Sequence, residues 1–399
     1  MTVSLSKLTK ACLLSIVLVS CASNDEDPDL LPADRPEIKN TFNTQVIWSK
    51  SVADGVESYY SRLKPTWGYD KVFAADRTGA VVAFAADTGK QVWEVDIRPP
   101  SEGYLSWLGF NTSPESRVSG LVASYEKLFV GTENGEIVAL SVEDGHEIWR
   151  VSVDGEVLSA PIAEEGKVIA HLGSGTTVAL DANDGKEIWS SIADVPSLTL
   201  RGASSPAYAQ GGVFIGGATG KVMTYASQNG QLAWEVPIAK PQGATELARI
   251  ADIDATPIIS GFNLYALSAG GSLGMVDIRS ARLAWKREYR GYQNMVLDAN
   301  KLILSDDKSI LYAVDARTGV ELWSNNQLRN RHITAGAILG DYVLVGDFEG
   351  YIYLFDKEEG KLSYVRQIST DALLAQPIVE NDIAYIQTRD GEIVALKLN

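Results

Sequence analysis

Apolar and polar positions recur along this chain in a fixed order. A short apolar run of the type Val-x-Ala-Leu leads into Asp-Gly, Asn-Gly or Thr-Gly, and then into an alternating segment that ends in tryptophan. The clearest copies run Gly79 to Trp93, Gly135 to Trp149 and Gly175 to Trp189. Weaker ones run Gly220 to Trp234, Gly271 to Trp285 (with Ala281 at the turn glycine), Ser309 to Trp323 and Gly350 to Tyr364. An eighth opens at Gly391-Glu-Ile-Val-Ala-Leu, and Asn399 follows before any tryptophan. The apolar run reads as a buried strand, the glycine dipeptide as a tight turn needing positive φ, and the alternating segment as a half-exposed strand.

Upstream of these copies lie further short strands, such as Lys71-Val-Phe-Ala, Lys127-Leu-Phe-Val and Lys301-Leu-Ile-Leu. Segments beginning Ala160-Pro-Ile, Ser205-Pro-Ala, Thr256-Pro-Ile and Gln376-Pro-Ile come before several of those. Four strands per unit, spaced 38 to 56 residues apart by their tryptophans, predict β-propeller blades. Val46-Ile47-Trp48 precedes any complete copy and supplies the strand the last copy lacks. The expected fold is therefore all-β: an eight-bladed propeller over 43–399 with four-stranded antiparallel blades, its ring closed by the N-terminal strand in the last blade. Closure removes the two edges an open array would expose. The repeat tryptophans are expected as core.

The start of the chain departs from this pattern. Lys7 and Lys10 precede a short apolar run, Ala11 to Val19, which is too short to span a bilayer. The run ends at Leu18-Val19-Ser20-Cys21, similar to a bacterial lipobox, so residues 1–20 are expected to be a lipoprotein signal peptide and Cys21 the lipidated residue. The lipobox brings a sorting rule with it: Ala22 rather than Asp after the cysteine implies the outer membrane, with the protein anchored by lipid and facing the periplasm. Residues 22–42, rich in acids and prolines, read as a flexible tether.

Charge and chemistry narrow the function. Without residues 1–20 the chain keeps 33 basic against 51 acidic residues, a net −18, which argues against nucleic acid. Cys12 would leave with the signal, so no disulfide forms within the folded part. The three histidines, His146, His171 and His332, are scattered, and no His-x-x-x-His or Cys-x-x-Cys pattern occurs. No catalytic residue, metal or cofactor is expected. The repeat does resemble the Ala-x-Asp-x-x-Thr-Gly-x-x-x-Trp motif of the pyrroloquinoline-quinone dehydrogenases, which are also eight-bladed. That keeps a quinoprotein as an alternative, with a glycan-binding propeller as another.

The blade repeat also sorts the loops. Turns between strands A and B and between C and D share one face; B–C turns and D-to-next-A connections share the other. The C–D turns are short and uniform, whereas the D–A connections are not, with surplus length at 98–117 and 239–255. Variable connections gathered on one face of a rigid scaffold are the expected place for binding. Ser197-Leu-Thr-Leu-Arg-Gly202 and Glu246-Leu-Ala-Arg-Ile-Ala-Asp252-Ile-Asp254 belong to neighbouring connections of that face. Leu198 and Leu200 could form an apolar anchor beside Arg201. Equally, the leucines could pack inward while Arg201 pairs with Asp252 or Asp254 to brace the loops.

Lipobox, acidic tether, eight blades and the Leu-Thr-Leu-Arg-Gly and Asp-x-Asp-x-Thr-Pro segments together resemble the BamB family, the propeller lipoproteins of the outer-membrane barrel-assembly machine. The resemblance runs from Cys21 to Asn399. It implies a non-enzymatic scaffold that binds the periplasmic POTRA domains of BamA, alongside other Bam components, and assists insertion of unfolded outer-membrane proteins. By motif match the implied contacts are Leu198, Leu200, Arg201, Asp252 and Asp254. The insertion at 98–117, with Tyr104, Trp107 and Phe110, receives no role.

Overall fold

In a computed structural model, which describes residues 29–99 and 114–399, the repeats form eight four-stranded sheets. The expected signal peptide, Cys21 and the aromatic residues Tyr104, Trp107 and Phe110 lie outside the described residues. The chain divides into residues 1–32 and 33–399, and the second unit is the propeller. Blade 1 shows the common plan. Strands Thr66–Gly68, Lys71–Ala75, Ala80–Ala85 and Gln91–Asp96 pair antiparallel in sequence order, A to D. Blades 2 to 7 repeat it over 118–152, 162–192, 207–237, 258–287, 296–325 and 337–367.

Strands B and C are buried almost throughout because both faces of each sheet pack on neighbouring blades. This is why their sequences are continuous apolar runs instead of alternating ones. The D strand alternates because its outer side faces solvent, as in Gln91–Asp96, where Trp93 alone is fully buried. Alanine recurs in the C strand because Ala83, Ala139, Ala179 and Ala313 stand directly opposite Trp93, Trp149, Trp189 and Trp323, leaving room for the indole.

Each of these tryptophans also reaches the next blade. The indole N–H of Trp93 donates to the Val142 carbonyl at 3.1 Å, Trp149 to Ala182 at 3.2 Å, Trp189 to Ser227 at 2.8 Å and Trp323 to Lys357 at 3.2 Å. Those carbonyls open the C–D turns, and the turn glycine lies under the ring: a Cβ on Gly145 would sit 2.8 Å from Trp93. At φ +78° that position favours glycine twice over, by conformation and by space. In blade 5 Ala281 occupies the equivalent turn position at φ +52°. Trp234, which packs in the same cluster as Ala281, is only half-buried, and its indole N–H makes no such bond among the described residues.

The ring closes as the sequence predicts. Strand Thr44–Ser51 is the outer strand of blade 8, pairing with Glu392–Leu398 from Thr44↔Leu398 to Ser51↔Glu392, with Trp48 opposite Ala395. Trp48 donates to the Ala86 carbonyl of blade 1 at 2.9 Å, so the seam uses the same contact as the other joints.

The expected tether is too long, however. Residues 33–42 lie along blade 7 instead of in solvent. The Ala33 amide donates to the Arg329 carbonyl at 2.8 Å, and Thr41 donates to Ser363 at 3.1 Å. Asn40 is clamped to Val365, its side chain donating to the carbonyl at 3.0 Å and accepting from the amide at 2.9 Å. Phe42 stacks on Tyr364 with centroids 5.1 Å apart and packs on Tyr342 at 4.5 Å. Blade 7 is the one with Tyr in place of Trp, and Phe42 adds the aromatic bulk that the smaller ring does not provide. Ile38 packs instead on the cluster between blades 6 and 7.

Candidate functional site

Backbone bonds assign the loops to faces as the repeat implied. The Ala86 amide, in a C–D turn, donates to Asp70 of the A–B turn, whereas Ile97, leaving strand D, donates to Gly79 of the B–C turn. The irregular connections therefore share the B–C face.

On that face the connections after blades 3 and 4 are joined directly. The Leu200 amide donates to Asp252 Oδ2 at 2.6 Å. Two residues on, Gly202 passes close over Asp254: a Cβ there would lie 2.6 Å from Asp254 Oδ2. The glycine of Leu-Thr-Leu-Arg-Gly is thus needed for close approach. Its φ is not in the left-handed region.

The five sequence-predicted residues fall into two layers. Leu198 is 43% exposed, Leu200 is half-buried, and Arg201 is exposed. Asp252 and Asp254 are only 1% and 5% exposed, so they hold the loop from beneath and do not present their carboxylates to solvent. Burial raises the pKa of Asp252, opposed by the bond from Leu200. Burial pushes Asp254 up to about 6, opposed by Arg62 and reinforced by Asp252. Arg62 lies 3.9 Å from Asp254 Oδ2 and donates to the Asp254 carbonyl at 3.2 Å.

Arg201 pairs with neither aspartate. It bridges to Glu133 in the B–C turn of blade 2 at 2.7 Å, and Glu133 also holds the buried Arg77 at 2.9 Å. Arg77 continues to Glu115 at 3.2 Å and lies 4.0 Å from the ring of Tyr59. A charged chain thus runs from the blade 3–4 connection back to blade 1. Sequence reasoning missed Glu133 because it lies 68 residues from its partner. It also passed over apolar residues left exposed in the two connections: Val195 at 40% and Leu247 at 72%, on the short 3₁₀ turn Leu247–Arg249.

The histidines are structural or peripheral. His171 is buried, hydrogen-bonded to Thr177 Oγ1 at 3.0 Å, and desolvation lowers its pKa to about 4. His146 is exposed beside Asp144. Among the described residues no group of His, Cys, Asp and Glu is arranged to hold a metal ion.

Known proteins resemble the chain over most of its length. A family model described as outer membrane protein assembly factor BamB matches residues 77–325 and 307–399. An outer membrane protein assembly factor BamB of Shewanella oneidensis is 40% identical over 385 residues, spanning 96% of this chain and 97% of that protein. The protein of the same name from Escherichia coli K12 is 34% identical, spanning 98% and 99%. Among solved structures, BamB from Moraxella catarrhalis superposes with a TM-score of 0.78 at 24% identity, covering 89% of this chain and all of that one. A quinohemoprotein alcohol dehydrogenase from Comamonas testosteroni shares the fold, with a TM-score of 0.71, at 12% identity over 91% of this chain and 78% of its own.

Proposed function

Given that this chain belongs to the BamB family of outer membrane protein assembly factors, we propose that it acts by binding and not by catalysis, as a lipid-anchored periplasmic scaffold for the POTRA domains of BamA. The docking surface is the loop pair around Leu198, Leu200 and Arg201. Asp252 and Asp254 serve it from below, fixing the backbone that displays the leucines and the guanidinium. Other Bam components and unfolded outer-membrane proteins belong to the same assembly. Anchoring is through Cys21.

The observation that carries this reading is the layering itself. Exposed apolar residues and an arginine stand on a loop whose backbone is tied down by a buried carboxylate. Such an anchor loses little conformational entropy when it docks, and pre-organisation of that kind is what converts contact area into affinity. Arg201, half-neutralised by Glu133, keeps donors free for a partner carboxylate or carbonyl.

The test is retention of the purified POTRA domains of BamA by Leu200→Ala and Arg201→Ala. Each is expected to weaken retention at least about tenfold, the loss typical of a hot-spot residue, while thermal unfolding stays near wild type. Undiminished retention by both variants would reject this surface.

A further inference from the structure

Where the axial channel of the ring opens on the face of the irregular connections, the starts of the inner strands enclose a cavity of about 240 Å³. Its polar part centres on Gln376. Gln376 Oε1 accepts from Lys64 Nζ at 3.2 Å and from Asn294 Nδ2 at 3.3 Å, while its amide nitrogen donates to the Gly336 carbonyl at 2.9 Å. Asn294 Oδ1 is also occupied, accepting from the Thr256 amide at 2.9 Å, which fixes the orientation of that side-chain amide. The acceptors of this cluster are thus engaged internally. What remains is donors: two N–H groups of Lys64 and one each of Asn294 and Gln376.

Lys64 has no carboxylate partner among the described residues, and the ring walls strip its water, lowering its pKa. Arg62, the other cation of the cavity, is occupied by Asp254. A half-buried ammonium without a counter-ion is costly, and an anion supplied from solution would relieve that cost. The lining also contains the apolar side chains Leu121, Leu158 and Leu374. The volume equals that of about eight waters, below the usual range for drug-sized ligands.

We propose that this cavity is a binding site for a small organic acid, its carboxylate held by Lys64 and Asn294 and its short hydrocarbon body lying on the three leucines. The cavity shares Asp254 with the proposed loop-pair docking surface, but Lys64 and Asn294 belong to neither of the paired connections.

Isothermal titration of the full-length chain, purified in detergent, with hexanoate tests this. Saturable binding is expected, at least about tenfold tighter than for hexanamide, which lacks the charge, or for acetate, which lacks the chain; a charged hydrogen bond or a few buried methylenes each suffice for that factor. Lys64→Met and Lys64→Gln should fold, since each removes an unpaired half-buried charge, and should lose at least about tenfold in hexanoate affinity. Absence of saturable heat with hexanoate in the millimolar range would overturn the proposal. So would equal binding of hexanamide or acetate, or wild-type affinity in the Lys64 variants.

Discussion

The backbone amide of Leu200 and the carboxylate of Asp252, 52 residues apart in the chain, meet at 2.6 Å and join two neighbouring connections of the propeller. Because Asp252 is buried, this bond is shielded from water, and losing it leaves an amide without an acceptor.

Asp252→Ala is therefore expected to lower stability by about 1–3 kcal/mol. It should also speed hydrogen exchange at the Leu200 amide, while exchange in the blade 6 and 7 strands stays unchanged. Amide exchange read residue by residue checks both. Unaltered protection at Leu200 would show that the carboxylate does not hold the loop.

Two buried groups give the stability opposite pH dependences. Asp254, at about 6 in the folded chain against about 3.9 for a free side chain, binds its proton more tightly when folded. Its contribution is fully present below pH 4 and is lost as pH rises through 6. His171, at about 4 against about 6.5, does the reverse, contributing above pH 6.5 and losing that contribution as pH falls through 4. Each is worth about 3 kcal/mol at most, and over this window the two act in opposite directions. Asp254→Asn removes one side of the balance, and its melting temperature should fall more steeply than wild type between pH 6 and 4. Parallel curves for the two proteins would contradict the assignment.

The joint between blades 4 and 5 is the irregular one, with Ala281 in a left-handed conformation at the turn that receives Trp234. Ala281→Gly should stabilise the fold by about 1 kcal/mol by relieving the Cβ in that conformation. Gly145→Ala at the regular joint should do the opposite, because its Cβ would meet Trp93 at 2.8 Å. Melting temperatures of the pair test the sign of each.

At the seam, Trp48 links blade 8 to blade 1. Trp48→Ala is expected to cost about 3–5 kcal/mol, as large aromatic truncations in cores do, and to raise hydrogen exchange first in strands Thr44–Ser51 and Glu392–Leu398. Uniform loss of protection around the whole ring would show instead that the seam is no weaker than the other joints.

The blades were legible because each feature of the repeat is local. A turn glycine, an alanine facing a tryptophan and an apolar run can all be read within fifteen residues. Closure was legible for a similar reason, since a tryptophan segment without a blade and a blade without a tryptophan are complementary. What escaped is the long-range pairing of polar groups. Glu133 reads as one surface acid among 51 acidic residues, and only the fold shows it between Arg77 and Arg201. Asp252 and Asp254 were marked correctly as neighbours of the Leu198–Arg201 loop, but nothing in their spacing separates a buried brace from an exposed contact. Residues 33–42 carry Asp34, Pro36 and Glu37 like a solvated linker, yet Asn40 and Phe42 find partners more than 300 residues away and Ile38 packs between blades 6 and 7.

That strapped segment sets where the chain joins the ring. The Ala33 carbonyl also accepts from Arg331 Nη1 at 3.0 Å, so the segment's first residue is fixed in the connection between blades 6 and 7, on the same side as Leu200 and Arg201. Tension on the chain ahead of Ala33 would therefore enter the ring at that connection, on the face of the irregular loops.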